Sequence, residues 1–424
     1  MKVLLEVEAQ TLAEGREWTR QRLEERLQAQ ADQIEAVCPQ SGLVLKYVRL
    51  REFSLMTCVG TVTVRAAYGF SSLMQRWLSP AREQWELTPY ERVSPQLQER
   101  LCYTATQTGS YQKAALLASC WGTTISDDLV HSQVQSIGLQ VDQQVMPAPT
   151  GAPQNEAPFS LVIMLDGWMV RERGPQWAAP PDCQDAERVA WHEVKSGVIY
   201  RLDHRAETAS ETASGRGVLT QKKVVACPPG TDVLEFGAAV QEEALRCGMA
   251  RAQEVFVVVD GAVWLWSLIE DRFSGTTQTL DFYHASQRLW ELAHYLYAND
   301  AEAARVFVEP LLHQLRHGES SRVITRLEEI LPKTSLQDDS AHDDSADPQL
   351  QRQIQYFLNH HDHLDYQAVA ERGAPIGSGA VESQCSQFQD RFKRTGQFWT
   401  RPGLRNLLAL DVMIQNKTFA YLWN

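Results

Sequence analysis

The sequence predicts an α/β protein whose sheet carries carboxylates at one edge. Two apolar runs with strand character end in an Asp-Gly pair: LVIMLDGW places Asp166 after five apolar residues, and EVFVVVDGAVWLW places Asp260 after a similar run. Segments with helical spacing separate and follow them. Because ligands and metals collect at the carboxyl ends of parallel strands in such sheets, both aspartates are candidate site residues. The alternative is that each Asp-Gly pair only forms a turn.

The first 80 residues are predicted to form a helix and a hairpin. Residues 1–41 contain a charged amphipathic helix, whose apolar spacing is typical of a docking or oligomerisation helix. Residues 42–80 are a β-hairpin segment, because positions 46–68 alternate as two strands joined near Val59-Gly60.

Residues 81–146 are predicted to be helical. Two helices, 111–120 and 126–137, are separated by a Trp-Gly-Thr turn, a spacing that fits a helix-turn-helix. The second helix would then present three polar side chains to DNA: His131, Gln133 and Gln135. An ordinary αα-hairpin gives the same pattern, and the two aspartates at the start of the second helix would repel phosphates. The sequence alone does not decide between a DNA-reading helix-turn-helix and an ordinary αα-hairpin.

A Pro/Gly-rich stretch at 147–158 is predicted to be a linker. Within 159–284, the predicted strands are 160–166, 189–201, 221–227, 254–260 and 276–282, and the predicted helices are 233–247 and 262–271. Residues 285–365 are predicted to be helical apart from the acidic run QDDSAHDDSADP. Its five aspartates and its lack of apolar spacing indicate a solvated linker.

Residues 366–424 contain the most informative passage, APIGSGAVESQCSQFQDRFKRTGQFWT at 374–400. After the Gly-Ser-Gly turn, apolar residues recur at three- and four-residue intervals, which predicts an amphipathic helix that begins near Ala380. Glu382 lies in its first turn, where the helix dipole alone also favours an acid. The side chains suited to phosphates and stacked bases are Arg391, Lys393, Arg394, Trp399, Arg401 and Arg405. The alternative for Trp399 is that its ring packs inside the protein and does not stack on a base.

With these motifs, the chain resembles bacterial insertion-sequence transposases that have an RNase H-like DDE catalytic core. The resemblance is to the ISKra-type group and to its Mutator and hAT relatives, and it covers most of the chain. Four passages carry it: RLREFSLMTCVGTVTVRAAYGF, LDGWMVRERG, VVVDGAVWLW and PIGSGAVESQCSQFQDRFKRTGQFW. It implies a sheet in which three antiparallel strands precede a helix and two parallel strands, with 285–365 as a helical insertion and 366–424 completing the core.

The resemblance implies that Asp166, Asp260 and Glu382 are the catalytic residues and bind the catalytic metals. Carboxylate oxygens favour Mg²⁺ or Mn²⁺, and phosphodiester transfer is served by two such ions about 3.5–4 Å apart. We expect Asp166 to bridge the two ions. The passage DFYHASQRLW matches the [C/D]xxH motif of Mutator and hAT transposases through Asp281 and His284, for which we expect a supporting role.

Neither the cysteines nor the clustered histidines predict a zinc site. The eight cysteines include no CxxC pair, although many members of the resembled group have a cysteine-rich metal-binding segment. We interpret them as reduced and mostly buried residues of a cytoplasmic protein. The three histidines His360, His361 and His363 are interpreted as a solvated helix end.

The charge of the chain constrains any DNA partner. Apolar residues make up 44% and charged residues 22%, which is ordinary for a globular protein, but the net charge of −13 opposes DNA binding unless cations are concentrated locally. Between residues 385 and 424, six Lys or Arg and two Asp give a local balance of +4. With no long apolar run and no basic-plus-apolar leader, we expect no membrane contact and a cytoplasmic, nucleoid-associated location.

The predicted function is metal-dependent DNA cleavage and strand transfer at transposon ends, by a homodimer or a higher oligomer on double-stranded DNA. One alternative is a catalytically silent or domesticated DNA-binding protein derived from a transposase, which the intact carboxylates disfavour. A carbohydrate hydrolase that uses two of the acids is a second alternative, which the cationic helix after Glu382 disfavours.

Overall fold

In the computed structural model, the described residues are 2–87, 91–121, 124–143, 157–181, 183–184, 186–207, 217–298, 300–331 and 348–423. The chain divides into two compact units, Met1–Gln144 with Asn406–Asn424, and Val145–Arg405. Most of the predicted linker at 147–158 and nearly all of the acidic run at 337–348 lie outside the described residues.

The first unit begins with a helix that packs along a three-stranded antiparallel sheet. The elements are α1 (Lys2–Gln33), β1 (Lys46–Thr57), β2 (Gly60–Ser71) and β3 (Arg76–Leu78). Gly60 has a φ of +121°, which suits the tight turn between β1 and β2. The predicted helix and the predicted hairpin are therefore both present.

The second half of α1 packs against this sheet. Leu27 contacts two apolar clusters beneath the strands, and Glu24 Oε2 accepts a hydrogen bond of 2.8 Å from the backbone N–H of Thr63. This contact pairs part of the edge of β2, which would otherwise expose unpaired backbone groups. Nearer the N-terminus, Leu12 and Trp18 are exposed and add nothing to the core of this unit.

The helices of this unit after the sheet are α2 (Pro80–Gln84), α3 (Pro95–Gln107), α4 (Tyr111–Ser119) and α5 (Asp127–Gln143). The last two match the predicted helix pair. The prediction that α5 exposes Gln133 and Gln135 is wrong, because each of these side chains hydrogen-bonds to another helix of the unit. Gln133 accepts a buried hydrogen bond of 3.0 Å from Gln98, and the half-buried Gln135 accepts from Asn406. His131 is exposed, as predicted.

A five-stranded mixed sheet forms the centre of the second unit. Its strands are β4 (Ser160–Arg173), β5 (Val189–Arg201), β8 (Lys223–Cys227), β9 (Glu254–Val259) and β10 (Thr277–Leu280), and two short strands, β6 (Arg205–Glu207) and β7 (Gly217–Leu219), form a separate hairpin. The sheet order is β10-β9-β4-β5-β8. Within this sheet, β4, β5 and β8 pair antiparallel, and β9 and β10 run parallel to β4, which is the arrangement that the resemblance implies.

Two helices, α6 (Val233–Arg246) and α7 (Val263–Arg272), cover one face of the sheet. Their apolar residues, Phe236 and Leu268 among them, form a buried cluster with Leu161, Leu165 and Val257 of the strands. On each strand, successive side chains point to opposite faces, so the alternate positions of β4 are left for the other side of the sheet.

The described chain between residues 282 and 371 is mainly helical. Its helices are α8 (Phe282–Leu296), α9 (Ala301–Arg316), α10 (Ser320–Glu328), α11 (Pro348–Asn359) and α12 (Tyr366–Glu371). They enclose a core of their own, in which Leu289, Val308 and Phe357 are fully buried. This agrees with the helical content predicted for 285–365.

The opposite face of the sheet is covered by α13 (Gly379–Phe392), which is followed by α14 (Arg401–Gln415). The ring of Trp168 on β4 stacks on Phe388 of α13 at 5.9 Å, and its Nε1 donates to Ser196 of β5. These contacts fix α13, and with it Glu382, over the central strands. Among the described helices of the chain, none is long and apolar enough to cross a membrane.

Candidate functional site

Three aspartates stand side by side at one edge of the sheet. Parallel pairing puts Leu165 of β4 opposite Val259 of β9, and Val259 opposite Leu280 of β10. The residue that follows each of these three in the chain is an aspartate: Asp166, Asp260 and Asp281. The sequence predicts the first two to be neighbours, and the register agrees; that Asp281 continues the row was not predicted.

The sequence predicts that the strand ends at Asp166. This is wrong, because β4 remains paired with β5 as far as Arg173. Its pairing with β9 does end at Leu165, and this leaves the side of Asp166 that faces β9 open. Asp166 Oδ1 accepts a hydrogen bond of 2.7 Å from the N–H of Gly167. Burial, together with the charge of Asp260, raises the pKa of Asp166 to about 6.

Asp260 lies in the turn that leads from β9 to α7. Its Oδ1 accepts a hydrogen bond of 2.8 Å from the N–H of Ala262, which orients the carboxylate at the start of the helix. Gly261 is required here, because a Cβ atom at that position would lie 2.0 Å from the ring of Tyr356 on α11. The Asp-Gly pair therefore makes a turn and also leaves room for a ring over it.

Asp281 joins the end of β10 to the loop before α13. Its carboxylate is fully buried and caps α8, because Oδ1 accepts from the N–H of His284 at 2.7 Å, while Oδ2 accepts from the N–H of Ser378. Burial raises the pKa of Asp281, but the hydrogen bonds from His284 and Ser378 outweigh it and hold that pKa below its ordinary value. Asp281 thus ties two segments that are distant in sequence.

Ser378 links Asp281 to Glu382, because it hydrogen-bonds to both carboxylates. The Ser378 hydroxyl donates a hydrogen bond of 2.6 Å to Glu382 Oε1, and Glu382 lies in the first turn of α13 as predicted. One ligand atom from each of Asp281, His284 and Glu382 lies within 4.8 Å of the others. These three residues form a compact cluster that has the composition of a metal site.

His284 is the cation at this cluster. Its Nδ1 lies 3.2 Å from Asp281 Oδ1, and its side chain is 39% exposed. The hydrogen bond with Asp281 raises the pKa of His284 to about 9 despite partial burial, and the charges of Asp260 and Glu382 act in the same direction. His284 is therefore protonated at neutral pH when no metal is bound, and it lies within electrostatic reach of the carboxylates on both sides.

Cys385 and Glu193 complete the surroundings of the carboxylates, and the sequence analysis missed both. The Cys385 thiol, one turn after Glu382, hydrogen-bonds to Asp166, and burial together with the charge of Asp166 raises its pKa. Helical spacing from Glu382 was a signal for Cys385. Glu193 lies over Gly167, where a Cβ atom would meet its Oε1 at 2.2 Å, and nothing local in the sequence indicates this approach.

Carboxylate oxygens such as those of Asp166, Asp260 and Glu382 favour Mg²⁺ or Mn²⁺ over softer ions. Among the described residues, however, the ligand atoms that lie within 4.8 Å of one another are those of Asp281, His284 and Glu382, so the structure does not bring the predicted triad together as one such group. Burial first, and then the charge of Asp260, raises the pKa of Asp166, and a bound cation would favour its ionised form. Both oxygens of Asp281 already accept backbone hydrogen bonds, so Asp281 is better suited to hold the loop than to bind the ion.

Two of the six predicted DNA-binding side chains are buried. Arg391 is 5% exposed, and its guanidinium lies over the rings of Phe392 and Trp399. Trp399 is 7% exposed, its Nε1 donates to the carbonyl of Phe392 at 2.8 Å, and its backbone bonds to β4. The prediction that Arg391 projects to solvent is wrong, and Trp399 takes the packing role that was its alternative.

The other four cations are exposed: Lys393, Arg394, Arg401 and Arg405. Arg401 also has a structural partner, because its guanidinium lies 3.0 Å from the carboxylate of Glu172, which is itself 3% exposed. The prediction for the histidines of 360–363 needs correction, since the rings of His360 and His363 are half-buried and pack on Trp266.

Comparison with known proteins adds little to this geometry. The chain matches no protein-family model and no curated protein. Among solved structures, it is similar to the Drosophila P element transposase strand transfer complex, with a TM-score of 0.26 and 10% sequence identity over 76% of this chain and 81% of that chain. At this TM-score and identity, the likeness establishes neither fold family nor function.

Proposed function

We propose that the chain is a DDE transposase that cleaves DNA at transposon ends and transfers the freed strands to target DNA. One observation carries the proposal: Asp166, Asp260 and Asp281 follow three residues that are in register on adjacent strands, and Glu382 begins the helix packed over this part of the sheet. Carboxylates gathered in this way are what metal-dependent phosphodiester chemistry requires.

The strand order supports an RNase H-like core within this proposal. Three antiparallel strands precede α6, and the parallel strands β9 and β10 follow on the far side of β4. Helices α8 to α12 then intervene before α13 supplies Glu382, which fits a helical insertion between the second aspartate and the glutamate. We assign the chain by resemblance of its motifs to the ISKra-type group, with Mutator and hAT transposases as relatives.

Asp166, Asp260 and Glu382 would hold two Mg²⁺ or Mn²⁺ ions. Bound there, such ions supply charge stabilisation for the attacking and leaving oxygens of a phosphodiester. The protein itself orients the ligands: Ser378 donates to Glu382, and Asp281 fixes the N–H of Ser378. His284, whose pKa Asp281 raises, lies beside Asp281 and Glu382 and would help to orient these carboxylates.

The substrate of this proposal is double-stranded DNA. Lys393, Arg394, Arg401 and Arg405 are exposed cations that lie on or beyond the helix bearing Glu382. Since the whole chain carries a charge of −13, contact with a polyanion has to use such local clusters. We further propose that the active form is a homodimer or a higher oligomer, because two transposon ends are joined in one reaction.

The test is a cleavage and strand-transfer assay on a supercoiled plasmid that carries the DNA flanking the coding sequence. We expect nicked and joined products in Mg²⁺ or Mn²⁺ and none in EDTA. Asp166→Asn, Asp260→Asn and Glu382→Gln should each abolish product while DNA binding, measured by gel shift, persists. Asp365→Asn, at an exposed helix N-cap outside the cluster, is the matched control and should remain active.

Two outcomes would contradict the proposal in different ways. A fully active Glu382→Gln protein would remove Glu382 from the metal ligands and leave the proposed triad incomplete. Specific binding of the flanking DNA without cleavage in either metal would favour the catalytically silent, transposase-derived DNA-binding protein instead.

A further inference from the structure

An aromatic and basic surface, partly exposed to solvent, lies on the extension of β4 and β5 beyond the carboxylate edge. We call it the Trp191 surface, and its residues are Arg171, Arg173, Trp177, Trp191, Lys393 and Phe398. Arg171 and Arg173 lie on the part of β4 that continues past Asp166, and Trp191 lies opposite Arg171 on β5. Because side chains alternate along a strand, Arg171, Arg173 and Trp191 share one face of this extension.

Cations and rings are interleaved on the Trp191 surface. The guanidinium of Arg171 lies 5.7 Å from the centroid of Trp191 and 5.0 Å from that of Phe398, and Lys393 Nζ lies 5.4 Å from Trp191. Arg173 lies 5.1 Å from the ring of Trp177. Such contacts hold the rings in place and keep positive charge beside them.

The rings on this surface remain accessible despite these contacts. Trp191 is 51% exposed, whereas Trp399, the tryptophan that the sequence singles out for stacking, is 7% exposed. Trp177 is 37% exposed. The ring of Trp191 is therefore accessible, and the stacking role predicted for Trp399 is sterically open to Trp191.

The charge of the surface matches a polyanion. Arg171, Arg173 and Lys393 contribute three cations, and Glu193 is the acid that shares the face of Trp191 on β5. The buried carboxylate of Glu172 lies between Arg171 and Arg173 in sequence but pairs with Arg401 on the other face. A net positive area on a chain of charge −13 is a local concentration of cations of the kind that phosphate binding needs.

Alternation along β4 decides how the Trp191 surface relates to the carboxylates. Arg171 lies five positions beyond Asp166, about 17 Å at the rise of an extended strand, and its side chain points to the opposite face of the sheet. Glu193 of β5 shares the face of Trp191 and lies within electrostatic reach of Asp260, so the carboxylates and the Trp191 surface are neighbours through Glu193.

We propose that the Trp191 surface binds an unpaired stretch of DNA next to the scissile phosphate, with a base stacked on Trp191 and phosphates held by Arg173 and Lys393. This site rests on the proposed function and specifies its substrate, namely ends that are single-stranded for a few nucleotides. Unpaired DNA is favoured over duplex because the faces of paired bases are already stacked on their neighbours. Rings with interleaved cations are the usual means of binding single strands.

The experiment measures binding by fluorescence anisotropy, in EDTA so that no cleavage occurs. The probes are three fluorescein-labelled oligonucleotides of related sequence: a single strand, a blunt duplex and a duplex with a five-nucleotide overhang. Trp191→Ala should weaken binding of the single strand and the overhang by roughly 5- to 150-fold, which corresponds to about 1–3 kcal/mol of stacking, with little change on the blunt duplex. Trp191→Phe should retain most of the affinity.

The matched control is Trp18→Ala, which removes a tryptophan of similar exposure from α1. It should leave binding to all three probes unchanged. In a second series, Arg173→Ala with Lys393→Ala should flatten the dependence of log affinity on log salt by about 1.4 on the single strand, since each lost phosphate contact removes about 0.7. Circular dichroism and the Tm of each variant establish that it is folded.

Three outcomes would overturn this inference. Trp191→Ala could bind the overhang as tightly as wild type, or it could weaken all three probes equally, in which case no unpaired base stacks there. If Trp191→Ala instead shifts the oligomeric state in sedimentation, a second copy of the chain occupies the surface. The proposed function fails in a different experiment. If plasmid cleavage does not depend on Glu382, the proposed function is refuted, and this result is independent of how the Trp191 variants bind DNA.

Discussion

Removing the Asp281 carboxylate should destabilise the protein more than the loss of an ordinary helix cap. Asp281→Ala removes an N-cap, worth about 1 kcal/mol, and leaves the buried N–H of Ser378 without its acceptor, which costs about 1–3 kcal/mol. The expected decrease in the free energy of unfolding is therefore about 2–4 kcal/mol. Urea unfolding followed by circular dichroism measures it, with the slope m compared between variants.

Asp300→Ala is the control for this prediction. Asp300 caps α9 by accepting a hydrogen bond of 2.9 Å from the N–H of Ala303, but it is exposed and makes no second backbone contact of this kind among the described residues. Its loss should cost about 1 kcal/mol. If Asp281→Ala costs no more than Asp300→Ala, Asp281 does not hold the loop before α13, and its proposed role in positioning Glu382 is refuted.

Three further predictions concern contacts around the site. Arg401→Ala should cost about 1–3 kcal/mol in urea unfolding because it leaves the buried carboxylate of Glu172 with His192, 3.4 Å away, in place of its arginine partner, and adding Glu172→Gln should restore most of this loss. In EDTA, His284→Asn should lower the Tm most below pH 6.5, and the difference should disappear as pH rises through about 9, because the raised pKa of His284 stabilises the fold only while the ring is protonated. Trp399→Ala should cost about 3–5 kcal/mol through lost packing, measured in the same urea assay, without weakening single-strand binding by the folded protein.

Each of these predictions has a contradicting result. An Arg401→Ala protein as stable as wild type, but with a flatter salt dependence of DNA binding, would make Arg401 a phosphate contact rather than a partner of Glu172. A His284→Asn effect that grows above pH 9 would reverse the sign of the proposed interaction. A Trp399→Ala protein that keeps its stability and loses DNA affinity would restore the stacking role to Trp399.

Local patterns predict the strands of the second unit well. The run before Asp260 predicts a strand at 254–260, and β9 spans Glu254–Val259, because a short, valine-rich run that is followed by a glycine favours a strand over a helix. The same reasoning fails at Asp166, where Gly167 does not end the strand. Gly167 is needed because the side chain of Glu193 lies over it, and that approach across two strands leaves no trace in the local sequence.

The cationic helix shows a different limit. Arg391 follows Phe388 by three positions, so helical spacing indicates that it lies on the apolar face, and its burial was predictable. The burial of Trp399 was not predictable, because it depends on backbone hydrogen bonds to Arg171 and Arg173, more than two hundred residues earlier in the chain. Likewise, only the register of β9 with β10 reveals that Asp281 stands in the row of aspartates.

The most direct test of the carboxylate site is metal-directed cleavage of the protein itself. Fe²⁺ would replace Mg²⁺, and ascorbate with peroxide would generate radicals that cut the backbone near the bound ion, with fragments identified by mass spectrometry. We predict cuts near 166, 260 and 382 in one reaction, suppressed by excess Mg²⁺ and lost in Asp166→Asn and Glu382→Gln. Cuts confined to other segments, or cuts near 166 that persist in both variants, would contradict a shared metal site built from these carboxylates.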